Sequence, residues 1–192
     1  MDIIKDLNPC EIQKYQKNRY PLFFVDKITE ALPGKYAKGY KNFTYNEWFF
    51  PAHFEDEPNV PGFIQIEILT QVFLMSFLTY PECKGKKTGF VSVKNAKFKR
   101  KIVPGERMDI YAVLSSFKRG LAMGEARGYI GDDLACFIEL EIAIPDILLK
   151  YRPNSARDRS FGGGYRANRI IFFSVCSRQY LYGNPMFIKK VA

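Results

Sequence analysis

Histidine is nearly absent from this sequence: His53 is the only one in 192 residues. The four cysteines, Cys10, Cys83, Cys136 and Cys176, stand far apart with no C-x-x-C pair. That spacing suggests neither a zinc site nor a disulfide framework, so a reducing, cytoplasmic setting is expected. A metal would have to rest on carboxylates alone, and neither a metal nor an organic cofactor is expected. No secretory leader is evident either, because "MDIIKDLNPCEI" carries acids where a basic region and an apolar run would stand. An uninterrupted apolar run is missing too. Phe63 to Tyr80 comes nearest, but Gln65, Glu67, Thr70 and Gln71 break it, so it reads as a buried helix and no membrane span is expected.

Net positive charge is also scarce over most of the chain, despite a formal total of +9. From Leu148 onward nine Lys or Arg face one acid, Asp158, so +8 of the total belongs to the tail. A basic tail alone does not argue for nucleic acid, and none is expected as a partner. What the sequence does have is apolar mass. Residues of apolar type make up 47%, with 17 Phe and 12 Tyr, enough for one folded domain with a substantial core.

Along the chain, Asn8-Pro9-Cys10-Glu11 has a capping residue, Pro at the first helical position and Glu three residues after the cap, the signature of a short helix. Pro33-Gly34 marks a turn and "KYAKGYKNFTY" a strand. Pro61-Gly62 opens a long helix that Pro81 should stop. The period then changes from helical to two. Segments near Thr88 to Ile102, Arg107 to Phe117, Leu121 to Ile130 and Leu134 to Ile144 read as an antiparallel meander with one apolar side. The helix is apolar almost all round, so it needs cover on most of its circumference. A sheet curled around it supplies that cover, an α+β arrangement over residues 1–147. Residues 148–192 form an extension: a Gly/Arg-rich linker with Gly162 to Gly164, then two runs of β tendency.

"NRYPLFFVD", "NFTYNEWFFPAHF", "PNVPGFIQIEILTQ" and "AKFKRKIVPGERM", in this order, resemble the FabZ-type 3-hydroxyacyl-[acyl-carrier-protein] dehydratases of the hot-dog fold over roughly residues 9 to 144. The spacing agrees as well: nine residues from His53 to Gly62, fourteen to Glu67, and four from Glu67 to Gln71. The resemblance implies a dehydratase of lipid biosynthesis, working on a 3-hydroxyacyl chain borne by acyl carrier protein. It also implies a homodimer, often a trimer of dimers, in which His53 of one subunit works with Glu67 of the other.

The residue types suit that chemistry. Removing water from a 3-hydroxyacyl thioester needs a base, an acid and help for an enolate-like oxygen. Imidazole titrates close to working pH and is the natural base. A carboxyl on an apolar helix can be kept protonated by desolvation, which suits Glu67 as the acid. Gly62 offers a backbone N–H at a helix N-terminus to the thioester carbonyl.

Each residue has a plainer alternative. His53 could be a packed residue beside Phe54, Glu67 the edge of a helix, Gln71 ordinary helix surface rather than a support for Glu67, and Gly62 simply a tight helix entry. Lys97, Lys99 and Lys101, expected on one strand face, could meet an acidic carrier protein or merely be solvated.

Two departures from the family pattern stand out. Ala52-His53-Phe54-Glu55-Asp56 replaces the usual G-H-F-P-G, and Asn18 replaces the His of H-R-Y-P. Three other readings remain: a thioesterase, a dehydratase that also isomerises its product, and a hot-dog module that binds acyl carriers without catalysis. Isomerising relatives usually have Asp where Glu67 stands.

Overall fold

A computed structural model of the protein describes residues 2–151. The linker and β-prone runs read between 152 and 192 lie outside the described residues.

A short strand, β1 (Ile4–Leu7), leads into α1 (Pro9–Ile12). Asn8 caps that helix: its side-chain oxygen accepts from the Glu11 N–H at 3.1 Å, and the Glu11 carboxylate accepts from the Asn8 N–H at 2.9 Å. Two otherwise unpaired donors are satisfied reciprocally. Strands β2 (Lys27–Leu32) and β3 (Tyr36–Asn42) follow around the Pro33-Gly34 turn. The long helix α2 (Gly62–Leu78) stops three residues before Pro81. Strands β4 (Gly89–Phe98), β5 (Arg107–Lys118), β6 (Leu121–Ile130) and β7 (Asp133–Ala143) complete the sheet. A helical turn, α3 (Pro145–Leu148), closes the described chain together with a 3-10 turn at Leu149–Tyr151.

All seven strands form one antiparallel sheet in the order β1-β2-β3-β5-β6-β7-β4. The expected meander is right for β5 to β7 and wrong for β4, which lies at the far edge beside β7 rather than next to β5. The reason is the crossing between them. After β4 the chain leaves the sheet and returns to the end of β3, where the Phe43 N–H donates to Glu106 O at 2.8 Å and the Gly105 N–H to Phe43 O at 2.7 Å. That places β5 against β3, and β6 and β7 fill the space out to β4.

The apolar faces meet on α2. In β7, Cys136, Ile138, Leu140 and Ile142 are buried, alternating with the half-buried Phe137, Glu139 and Glu141. Helix α2 packs against β3, β5 and β6, and from Ile68 to Leu78 every residue is buried. Its close seat depends on Gly124 of β6. A Cβ there would stand 2.1 Å from the Val113 carbonyl oxygen and 2.5 Å from the Phe73 ring. Neither the sheet backbone nor a buried ring can yield easily. Gly124→Ala is therefore expected to cost about 1–3 kcal/mol through overpacking. Urea unfolding checks this: the midpoint should fall while the slope stays constant.

The cover is uneven at one edge. On the helix-facing side of β4, Phe90, Val93 and Phe98 are 39%, 39% and 48% exposed, and Phe63 of α2 is 64% exposed. The ten-residue edge strand thus leaves apolar side chains uncovered.

Candidate active site

His53 sits in the irregular segment between β3 and α2, which is anchored from below. Phe49 and Phe50 are buried, with ring centroids 4.8 Å apart, and Phe49 meets Phe24 edge-on at 6.4 Å. The buried Lys41 of β3 pairs with Asp26 and with Glu47 at the start of the segment. On this base the His53 N–H donates to Phe50 O at 3.2 Å, and His53 O accepts from the Asn59 N–H at 2.9 Å. The ring stacks on Phe54 with centroids 4.2 Å apart, and its Nδ1 lies 3.2 Å from the Asn59 carbonyl oxygen. A carbonyl can only accept, so the neutral ring carries its proton on Nδ1 and has its lone pair on Nε2.

The altered turn after His53 is closed locally. Phe54 and Glu57 exchange backbone hydrogen bonds of 3.3 and 3.2 Å. The Glu57 carboxylate is in turn paired with Lys101.

Strand β4 ends at Phe98, so the expected single face with Lys97, Lys99 and Lys101 is not formed. Only Lys97 lies in the strand, opposite Phe137. Lys99 and Lys101 belong to the crossing segment, which turns inward to bury Ile102, whose carbonyl accepts from the Val60 N–H at 2.9 Å.

Glu67 projects from the second turn of α2. Both of its hydrogen bonds reach the same oxygen: Gln71 Nε2 donates to Oε1 at 2.8 Å and Asn18 Nδ2 donates to Oε1 at 2.9 Å. Gln71 is held in turn. Its side-chain oxygen accepts from the Phe24 N–H at 2.9 Å, and its Nε2 also donates to Leu22 O at 2.7 Å. Burial pushes the Glu67 carboxyl above the usual carboxylate range, with the Gln71 and Asn18 donors pulling the other way. Gly62 opens α2 beneath the exposed ring of Phe98, where a Cβ would come within 3.0 Å of that ring.

Glu67, Gln71 and the chain around Leu22 to Phe24 therefore come together, while His53 lies on a separate segment. Asn18 is the site residue that sequence reasoning did not assign a role. Its only signal was that it stands where the family motif has His.

Among the described residues no group of three or more His, Cys, Asp or Glu could hold a metal ion. Burial pushes the thiols of Cys83 and Cys136 up to about 11 and about 12, which leaves them poor nucleophiles.

The chain is similar to several known proteins. The 3-hydroxyacyl-[acyl-carrier-protein] dehydratase FabZ of Natranaerobius thermophilus is 40% identical over 141 residues, covering 73% of this chain and 98% of the relative. FabZ of Clostridium botulinum strain Hall is 41% identical over 144 residues, covering 75% and 99%. Among solved structures, the dehydratase heterocomplex ApeI:P from Xenorhabdus doucetiae superposes with a TM-score of 0.61 at 14% identity, covering 72% of this chain and 95% of that one. That likeness speaks to the fold. The profile of the FabA-like domain matches residues 17–139, a span that takes in Asn18, His53, Gly62, Glu67 and Gln71, and the chain belongs to that family, as a hot-dog protein of the FabZ type.

Proposed function

We propose that this protein dehydrates 3-hydroxyacyl chains carried on acyl carrier protein to trans-2-enoyl chains, in fatty acid or related lipid biosynthesis. One observation carries the reading: a carboxyl on the buried helix, kept toward its protonated form by burial and held by two amide donors, in a chain about 40% identical to FabZ dehydratases.

His53 Nε2 removes a proton from the carbon next to the thioester carbonyl. The electron pair moves toward the carbonyl oxygen, where the Gly62 N–H and the positive end of α2 stabilise the charge. As the pair returns to form the double bond, the 3-hydroxyl leaves with the Glu67 proton as water. Imidazolium and carboxylate remain, and proton transfer between them resets the site. No step calls for a metal or an organic cofactor.

The catalytic unit is residues 1–147, acting as a homodimer in which His53 of one subunit faces the same substrate as Glu67 of the other. Support comes from the bare edge of β4 and the exposed Phe63, Phe90, Val93 and Phe98, which a second copy would cover about a two-fold axis. Lys97, on the strand side of that region, is the best placed of the three lysines to meet an acidic carrier.

No helix among the described residues is long and apolar enough to cross a membrane. The test is mass spectrometry of purified protein incubated with 3-hydroxyacyl carrier proteins of several chain lengths. Loss of one water from the acyl chain is expected. Release of the carrier thiol, or binding without conversion at every length, would overturn the reading.

A further inference from the structure

The residues between α1 and β2 form a strap laid along the polar edge of α2, and every tie in it is specific. Before Asn18, the Gln16 side-chain amide donates to the Gln71 backbone carbonyl at 2.6 Å. After it, Leu22 and Phe24 hold both ends of the Gln71 side chain. Between them the Arg19 guanidinium braces the bend, donating to the carbonyls of Asn18 at 2.7 Å, Gln16 at 2.9 Å and Gln13 at 3.1 Å. Asn18 is thereby set over Glu67.

The Gln71 amide is oriented by its neighbours. Its oxygen faces the Phe24 N–H, so its NH2 must face Glu67 and Leu22. Two N–H groups then converge on Glu67 Oε1, and an oxygen that already receives two donors has no room for a proton of its own.

We propose that Asn18 is a positioning residue for proton transfer: with Gln71 it saturates Glu67 Oε1 and confines the transferable proton to Oε2. The inference rests on the proposed role of Glu67 as the acid. It explains what a neutral amide gains over an imidazole at this position. Asn18 always donates and never titrates, so the supply of hydrogen bonds to Oε1 does not change across the working pH range.

The charged groups on the packed elements do not compete for this role. On the strap, Lys14, Lys17 and Arg19 are exposed, Arg19 is committed to carbonyls, and Asp26 is paired with Lys41. On α2, Glu67 is the only charged residue. The remaining titratable neighbour in the proposed dimer is the imidazole of the other subunit.

The test pairs kinetics with a carbon-13 NMR titration of the Glu67 carboxyl, assigned by the signal lost in Glu67→Gln. Asn18→Ala is expected to lower kcat about tenfold with KM little changed, the pattern of an interaction felt in the transition state. The same variant should move the carboxyl titration upward, because the ionised form loses a donor. Asn18→His should restore much of kcat and add a second titration to the pH profile. If Asn18→Ala does not fold, Asn18→Asp carries the test: its carboxylate should raise the Glu67 titration further and remove activity at neutral pH.

Unchanged kcat and an unmoved carboxyl titration in Asn18→Ala would overturn the inference. A wild-type protein that dehydrates nothing would overturn the function, while the NMR titration would still report on the hydrogen bond.

Discussion

Glu67→Gln is expected to lower dehydration by about 10²- to 10⁴-fold, the usual share of a positioned acid, without destabilising the fold on the alkaline side of the Glu67 titration. The two halves of this result have one origin. Burial raises the Glu67 carboxyl above its ordinary range. A group whose folded pKa lies above its unfolded one contributes stability that is fully present below the unfolded pKa and is lost as pH rises through the folded pKa. Above its folded pKa the native protein thus carries a desolvated carboxylate that two amides only partly offset. Glutamine keeps an oxygen for those amides and removes the charge. Melting curves of both proteins should be close near pH 4 and should diverge in favour of Glu67→Gln on the alkaline side. Steady-state turnover on a hydroxyacyl carrier gives the other half, and near-native turnover would show that the proton comes from elsewhere.

The second large effect concerns two inactive proteins that recover activity when mixed. His53→Ala should be as damaging as Glu67→Gln, because no other side chain in the chain is an imidazole. If each site takes its base from one subunit and its acid from the other, a dimer of one His53→Ala chain and one Glu67→Gln chain has one site with both groups lost and one site intact. Random exchange of equal amounts leaves about half the dimers mixed, so activity should recover to about a quarter of the native rate. Sites complete within one chain would give no recovery at all. Subunit exchange can be verified independently with differently tagged copies.

Several features were legible before any coordinates. The alternation from Leu134 to Ile144 foretells β7 because a strand with one buried face must have period two. The Pro61-Gly62 opening and the Pro81 stop bound α2, and the Asn8 capping box announces α1. The place of β4 was not legible: its pattern says that it is a strand, but neighbours in a sheet are set by the crossing segment, whose ties to Phe43 and Val60 are spread over sequence. The same crossing segment defeats the lysine stripe, since period two holds only as far as Phe98. β1 carries no signal of its own, being four residues held by pairing with β2 and by the Asp6–Lys27 ion pair.

The site divides in the same way. His53, Gly62, Glu67 and Gln71 could be nominated from spacing and chemistry, and the contact from Gln71 to Glu67 is local to one helix. Asn18 could not be assigned a role, because its bond to Glu67 joins residues 49 apart and exists only once the strap is laid down.

That strap changes how the front of the chain should be valued. A designer shortening this protein would be tempted to discard the first two dozen residues, since the wrap and its helix begin later and hold the bulk of the core. Such a trimmed version would keep the acid and lose what tells it which of its oxygens to use.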